Sequence, residues 1–345
     1  MKFSFRYYGL NDPIDIKYIS QIPGVESIVS AIYDTKVGEV WSYESIEELK
    51  NLANKNNLSF EVVESVPVHE DIKLGKPTRD KYIENYKENI RRLGKAGVKC
   101  ITYNFMPVFD WTRTTLDYKN NDSSTSLAYF PDEIKGIDPI KNDIHLPGWD
   151  ESYTKDELKK LLDDYSKITH EDLWHNLEYF LKEILPVAEE YRVMMAIHPD
   201  DPPYDIFGLP RIVTNEANMD RLLSIYDSKY NSLCLCTGSL GVVKDNDLVH
   251  MVDKYSKMDR IAFMHVRNIK YINNGFVECS AADPNGSLPI KEILKVLVKN
   301  NFSGYIRPDH GRMIFGEKGK PGYGLYDRAL SLQYLYGLME AYKNE

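Results

Sequence analysis

The stretch "SGYIRPDHGR", residues 303–312, decides how this chain folds. Gly304–Arg307 reads as a short strand, and after Pro308 it opens into aspartate, histidine, glycine and arginine. Ionisable groups crowd the end of what should be a buried strand. The same form recurs upstream. "RVMMAIHPDDPP" (192–203) ends its apolar run at His198, "SLCLCTGS" (232–239) at Cys236, and "IAFMHVRN" (261–268) carries His265. Further candidate strands are Phe3–Tyr8, Ser27–Ile32, Ser59–Ser65 and Cys100–Phe105. Amphipathic stretches lie between them at Ser42–Lys55, Thr78–Ala96, Asn215–Tyr226, Asp245–Tyr255 and Ile290–Asn300. A short helix is expected around Ile14–Gln21, and Leu325–Tyr342 closes the chain. Strands that alternate with helices pair in parallel through crossovers. The expectation is one α/β domain over residues 1–345, a (β/α)8 TIM barrel. A doubly wound sheet competes, but no Gly-rich phosphate loop follows the first strand.

One connection is oversized. After Phe105 no long helix is expected until Thr169–Glu190, so residues 106–168 read as an insertion over the catalytic face, with a short helix at Lys155–Tyr165. Loops on that face serve as lids or pocket walls. The plainer alternative is a contact between subunits.

Composition narrows the function classes. A formal net charge of −9 with scattered charges speaks against a nucleic-acid partner, which needs a basic face. "MKFSFRYYG" at the start has no long apolar run, so neither a signal peptide nor a membrane partner is expected. Cys100, Cys234, Cys236 and Cys279 are too few for a disulfide scaffold, which points to the reducing cytoplasm. A homo-oligomer is expected.

His198, Cys236, His265 and Asp309 are all metal-ligand types on successive strand ends. Strand alternation puts Ala196 with His198, Cys234 with Cys236, Phe263 with His265 and Arg307 with Asp309 on one face. If that face points inward, the four ligands converge. Taken singly, a strand-end histidine is more often a hydrogen-bonded rim residue, and a strand cysteine a small hydrophobe. Cys234, one layer deeper, takes the second reading. Two imidazoles, a thiolate and a carboxylate suit zinc or iron. Open positions for a substrate favour manganese or ferrous iron instead. Arg267 and Arg312 could clamp a carboxylate, or form surface ion pairs. Arg6 ends the first strand and Asn104 the fourth; both are candidate substrate contacts. His310 and Tyr323, the latter between glycines in "KPGYG", also fall near the rim.

Taken together, "FRYYG", "QIPGVESIVSAIYD", "ESVPVHEDIKLG", "YNFMPVFDWTRT", "LPGWDES", "AIHPDDPP", "CTGSLG", "RPDHGR" and "PGYGLYDRALSLQYLYGL" resemble the mannonate dehydratases, enzymes of hexuronate breakdown. The resemblance runs from residue 3 to about 338 and is least specific over Asp117–Asp143. It implies a barrel related to xylose isomerase, and a hydro-lyase that converts D-mannonate, a small sugar acid, to 2-keto-3-deoxy-D-gluconate with manganese. His198, Cys236, His265 and Asp309 match the family's metal positions, and His310 and Tyr323 its proposed acid–base residues. The first rival reading is a metal-dependent sugar isomerase or epimerase on the same barrel. An abasic-site endonuclease and a non-enzymatic protein with a structural zinc stand behind it.

Overall fold

Apolar strands and amphipathic helices alternate along the chain, and the strands close on themselves. The computed structural model describes residues 1–135, 137, 139 and 153–344. Its strands are β1 (Lys2–Arg6), β2 (Val25–Ser30), β3 (Ser59–Glu64), β4 (Cys100–Tyr103), β5 (Thr115–Lys119), β6 (Thr125–Tyr129), β7 (Met194–Ile197), β8 (Asn231–Cys236), β9 (Ile261–Val266), β10 (Asn268–Ile272), β11 (Gly275–Cys279) and β12 (Tyr305–Pro308). The closed barrel runs β1-β2-β3-β4-β7-β8-β9-β12 and returns to β1, with every pairing parallel. This is the expected TIM barrel. Each of its strands coincides with a sequence expectation to within three residues at either end.

Local chemistry sets the helix ends. Ser42 accepts a hydrogen bond from the Ser45 amide at 3.0 Å and opens the helix Tyr43–Lys55. Asn215 does the same for Glu216–Ile225, and Asp247 for Leu248–Lys257. Each such cap satisfies an amide that has no partner within the helix, worth about 1 kcal/mol. Gly97, at φ 100°, ends Arg79–Ala96 in the left-handed conformation that glycine adopts without strain.

The barrel interior is a small apolar cluster. Val29, Val62, Cys100, Ala196, Cys234, Ala262, Phe263 and Tyr305 fill it, and all are buried. Cys234 therefore sits one layer below the strand ends, among hydrophobic neighbours, and burial pushes its thiol well above the ordinary range. A larger shell of apolar residues joins the outer face of the barrel to the helices.

The insertion contains structure that its sequence did not announce. β5 and β6 form a hairpin within residues 106–168, and β10 and β11 form a second hairpin directly after β9. The two combine into an antiparallel sheet in the order β10-β11-β6-β5. The expected helix at Lys155–Tyr165 is present, capped by Thr154 and Glu157 in a reciprocal box. Its last residue is pinned to the barrel: Tyr165 donates to Glu70 Oε2 at 2.6 Å, and Lys73 joins Glu70 Oε1 at 2.6 Å to the Met106 carbonyl at 2.7 Å. The "LPGWDES" motif lies outside the described residues.

Candidate active site and metal centre

Register brings the strand ends together. Cys236 is opposite His265 across β8 and β9, and His265 is opposite Arg307 across β9 and β12. Residues paired in parallel strands point to the same face, and Asp309 follows Arg307 at the spacing that keeps that face. His198 extends β7 by donating its amide to the Tyr103 carbonyl at 2.7 Å. As a result one ligand atom from each of His198, Cys236, His265 and Asp309 lies within 4.8 Å of all the others. Ligands at about 2.0–2.3 Å from a shared ion cannot be farther apart than about 4.6 Å. The spread matches one cation with only slight closing.

The hydrogen bonds around the four also suit a cation. His198 Nδ1 sits 2.7 Å from the Pro199 carbonyl, so that nitrogen carries the proton and Nε2 keeps its lone pair. His265 is held from outside at Nε2 by Arg307 Nε at 3.2 Å and Glu64 Oε2 at 3.4 Å. Its Nδ1 is buried with no hydrogen-bond partner among the described residues, 3.6 Å from Asp309 Oδ1. A buried polar atom left unpaired is costly, and a metal ion would satisfy it. Cys236 Sγ lies 3.6 Å from Asp309 Oδ2. Burial opposes ionisation of Asp309, but His310, Arg307 and Arg267 outweigh it and hold the carboxyl well below the ordinary range. A buried cysteine, two imidazoles and an ionised carboxylate form a coherent donor set for a divalent ion.

Beside this cluster stand His310 and Tyr323. His310 Nε2 is 2.9 Å from the Tyr323 hydroxyl, and Trp111 of the insertion packs its ring 4.7 Å from the His310 ring. Burial, then Tyr8 and Asp309, push the Tyr323 phenol well above its ordinary range. The loop that carries Tyr323 is fixed by a buried arginine: Arg328 donates to the carbonyls of Tyr323 at 2.7 Å, Gly324 at 2.7 Å and Arg6 at 3.3 Å. Arg328 has no carboxylate partner among the described residues, and burial pushes it down to about 10. Gly322, at φ 82°, turns the chain into this loop.

The remaining expected contacts divide. Arg6 is buried with its guanidinium 4.5 Å above the Tyr8 ring. Among the described residues its side chain makes one long hydrogen bond, 3.4 Å to the Val29 carbonyl, which leaves donors for a ligand. Asn104 caps its own loop, accepting from the Met106 amide at 3.2 Å. Arg267 is engaged through both terminal nitrogens, while its Nε has no hydrogen-bond partner among the described residues. It meets Asp309 Oδ2 at 3.0 Å, Asp201 Oδ2 at 2.6 Å and Ser239 Oγ at 3.0 Å, and Gly238 has no Cβ to block it. Arg312 is not brought to the cluster. Its guanidinium pairs with Asp327 at 2.9 Å and with Asp122 of the β5–β6 turn at 2.9 Å, the ion-pair arrangement that the sequence offered as the alternative to a carboxylate clamp.

Three more buried charged residues near the site, besides Arg328, had no assigned role in the sequence. Asp201 takes Arg113 on both oxygens, at 2.9 and 3.0 Å, as well as Arg267. Glu278 of β11 lies on His310 Nδ1 at 2.9 Å and on Arg113 Nη2 at 2.6 Å. The adjacent aspartates of "HPDDPP", the arginine of "FDWTRT" and the glutamate inside the apolar run "GFVEC" were the only signals.

Comparison with known proteins finds relatives over nearly the whole chain. A family model described as D-mannonate dehydratase (UxuA) matches residues 1–345. "Mannonate dehydratase 2" of Halalkalibacterium halodurans is 53% identical over 342 residues, covering 99% of each chain. Mannonate dehydratase of Oceanobacillus iheyensis is 51% identical over 341 residues, covering 99% of this chain and 97% of its own. The crystal structure of mannonate dehydratase from Streptococcus suis serotype 2 superposes with a TM-score of 0.93 at 48% identity, over 100% of this chain and 95% of that one. A xylose isomerase domain protein from Planctomyces limnophilus shares the fold alone, with a TM-score of 0.56 and 11% identity over 100% of this chain and 99% of that one. With half of its residues identical to these relatives over nearly its full length, the chain belongs to the mannonate dehydratase family of hydro-lyases.

Proposed function

We propose that this protein eliminates water from D-mannonate to give 2-keto-3-deoxy-D-gluconate, using a divalent ion, manganese first and ferrous or another divalent ion in its place. The observation that carries the reading is the convergence of His198, Cys236, His265 and Asp309 beside the His310–Tyr323 pair. His198, Cys236, His265 and Asp309 would hold the ion. When bound, a divalent cation supplies electrostatic stabilisation to charge that develops on the substrate's carboxylate oxygens as C2 loses its proton.

The chain's own groups do the rest. A base must take the C2 proton, and an acid must give a proton to the C3 hydroxyl as the C–O bond breaks. His310 and Tyr323 carry those two steps, 2.9 Å apart. The enol then tautomerises to the keto acid. Arg6, a buried cation with free donors, meets the substrate carboxylate, and Asn104 lines the same rim. Residues 106–168 contribute Trp111 to the wall of the site within one functional domain. A cytoplasmic homo-oligomer goes with this reading, and the four free thiols support a reducing compartment.

The test is direct. Chelator-treated enzyme with D-mannonate should form a 2-keto acid only when manganese is returned. Isomerised aldose without keto acid would replace the proposal with the sugar-isomerase reading. No turnover of either substrate class with any divalent ion would end both.

A further inference from the structure

Neither the metal ligands nor the acid–base pair accounts for Glu278. This glutamate sits on β11, outside the barrel, and is only 4% exposed. Both of its oxygens lie on His310 Nδ1, at 3.0 and 2.9 Å. Arg113 holds the same carboxylate with Nε at 2.8 Å and Nη2 at 2.6 Å. The two hydrogen bonds from Arg113, with the Arg267 guanidinium 3.5 Å away, favour the ionised carboxylate.

An ionised carboxylate can only accept hydrogen bonds. The proton between Glu278 and His310 therefore belongs to Nδ1. Arg267 Nη1 also approaches Nδ1, at 3.1 Å, but a guanidinium is a donor and has Asp309 Oδ2 at 3.0 Å to receive its hydrogen. A neutral imidazole protonated at Nδ1 keeps a lone pair on Nε2. That nitrogen is the one 2.9 Å from the Tyr323 hydroxyl, so the phenol donates to it.

We infer that Glu278 is a positioning residue: it fixes His310 as the Nδ1–H tautomer and aims Nε2 at Tyr323, which makes the two groups one proton relay. The kinetic part rests on the dehydration proposed above. In that reaction one member of the pair gains the C2 proton, and the other gives its proton to the departing C3 hydroxyl. The Oη–Nε2 contact then returns the gained proton to the member that lost one. Atoms and charge balance within the pair. Arg113, fully buried, ties this device to the insertion, because its guanidinium bridges Glu278 and Asp201.

The experiment has two arms. In the first, Glu278→Gln is compared with Glu278→Asp and wild type. A glutamine amide can present N–H to Nδ1 and so favour the opposite tautomer. Expected is a fall in kcat of at least about 10-fold, and up to about 10⁴-fold if the tautomer reverses fully. KM and bound metal should stay unchanged, and Glu278→Asp should recover part of kcat. A folded Glu278→Gln enzyme with wild-type kcat overturns the inference, as does a loss confined to KM or metal content. The second arm needs no variant of Glu278. Histidine-labelled, magnesium-loaded wild-type protein is read by long-range ¹H–¹⁵N NMR, with His310 identified by its loss in His310→Gln. An Nδ1–H, Nε2-lone-pair signature supports the inference, whereas an Nε2–H signature in a neutral or charged ring overturns it. Wild-type protein that shows the expected tautomer yet never dehydrates D-mannonate would defeat the reaction proposal and leave the Glu278–His310 arrangement standing.

Discussion

Asp201→Ala should cost more stability than its single missing side chain suggests. Asp201 is fully buried and is the shared acceptor of two buried arginines, Arg113 at 2.9 and 3.0 Å and Arg267 at 2.6 Å. Its backbone carbonyl also takes the Thr112 amide at 3.0 Å, a bond the substitution leaves in place. Truncation removes the negative charge and leaves two cations that water cannot reach with one close carboxylate each, Arg113 with Glu278 and Arg267 with Asp309. Breaking a buried ion pair from one side costs about 3–5 kcal/mol. Unfolding entropy of about 2.1 cal/mol/K per residue gives about 0.7 kcal/mol/K for a chain of 345 residues. The melting temperature should therefore fall by about 4–7 °C. Calorimetry at neutral pH on metal-loaded protein measures it. Glu171→Ala, which breaks an exposed pair with Arg221 at 2.7 Å, is the control and should leave the melting temperature unmoved. The sign with pH is also fixed. Burial works against the Asp201 charge, but Arg113 and Arg267 outweigh it and depress the folded-state value. Such a group contributes fully above the ordinary carboxylate range, and its contribution fades only as pH falls through the depressed value. The gap between wild type and variant should thus stay flat from about pH 5 to 8. A variant that melts with the wild type would show that these buried charges are no better than balanced.

Two further pairs of substitutions test the site itself. Cys236→Ser should weaken metal binding and abolish turnover, whereas Cys234→Ser, in the apolar layer below, should leave both nearly intact; metal content by mass spectrometry and a keto-acid assay separate them. Arg6→Ala should raise KM for a carboxylated substrate at unchanged metal content, while Arg312→Ala, whose guanidinium is tied to Asp327 and Asp122, should leave KM alone.

The barrel was legible because its evidence is local. Strand period and helix period are written within windows of about ten residues, and parallel register then carries Cys236, His265 and Asp309 to one rim without further information. The four-stranded sheet was not legible. Its strands are five residues each, and β5 alternates weakly as Thr-Leu-Asp-Tyr-Lys with no fully buried position. Only Arg267 separates β9 from β10, and nothing local in the sequence marks it as the joint between two sheets. Arg312 was left between two readings for a related reason. Its partners are 15 and 190 positions away, at Asp327 and Asp122, and only the fold decides whether an arginine beside an active-site histidine faces substrate or a neighbouring carboxylate.

That contrast in legibility has a mechanical counterpart. The four candidate metal ligands stand at strand ends whose backbone is fixed by the barrel ladder. The group that orients His310 stands on a separate sheet, and that sheet is joined to the barrel ligands through buried charge: Glu278 to Arg113, Arg113 to Asp201, Asp201 to Arg267, and Arg267 to Asp309. Each link is an ion pair between groups that water does not reach, so none can loosen without stranding a charge. A change at Arg113 of the insertion therefore reaches His310 directly through Glu278, and reaches Asp309 only through Asp201 and Arg267. A variant there that loses turnover but retains its metal would be read correctly as a fault in proton transfer and not in the metal centre.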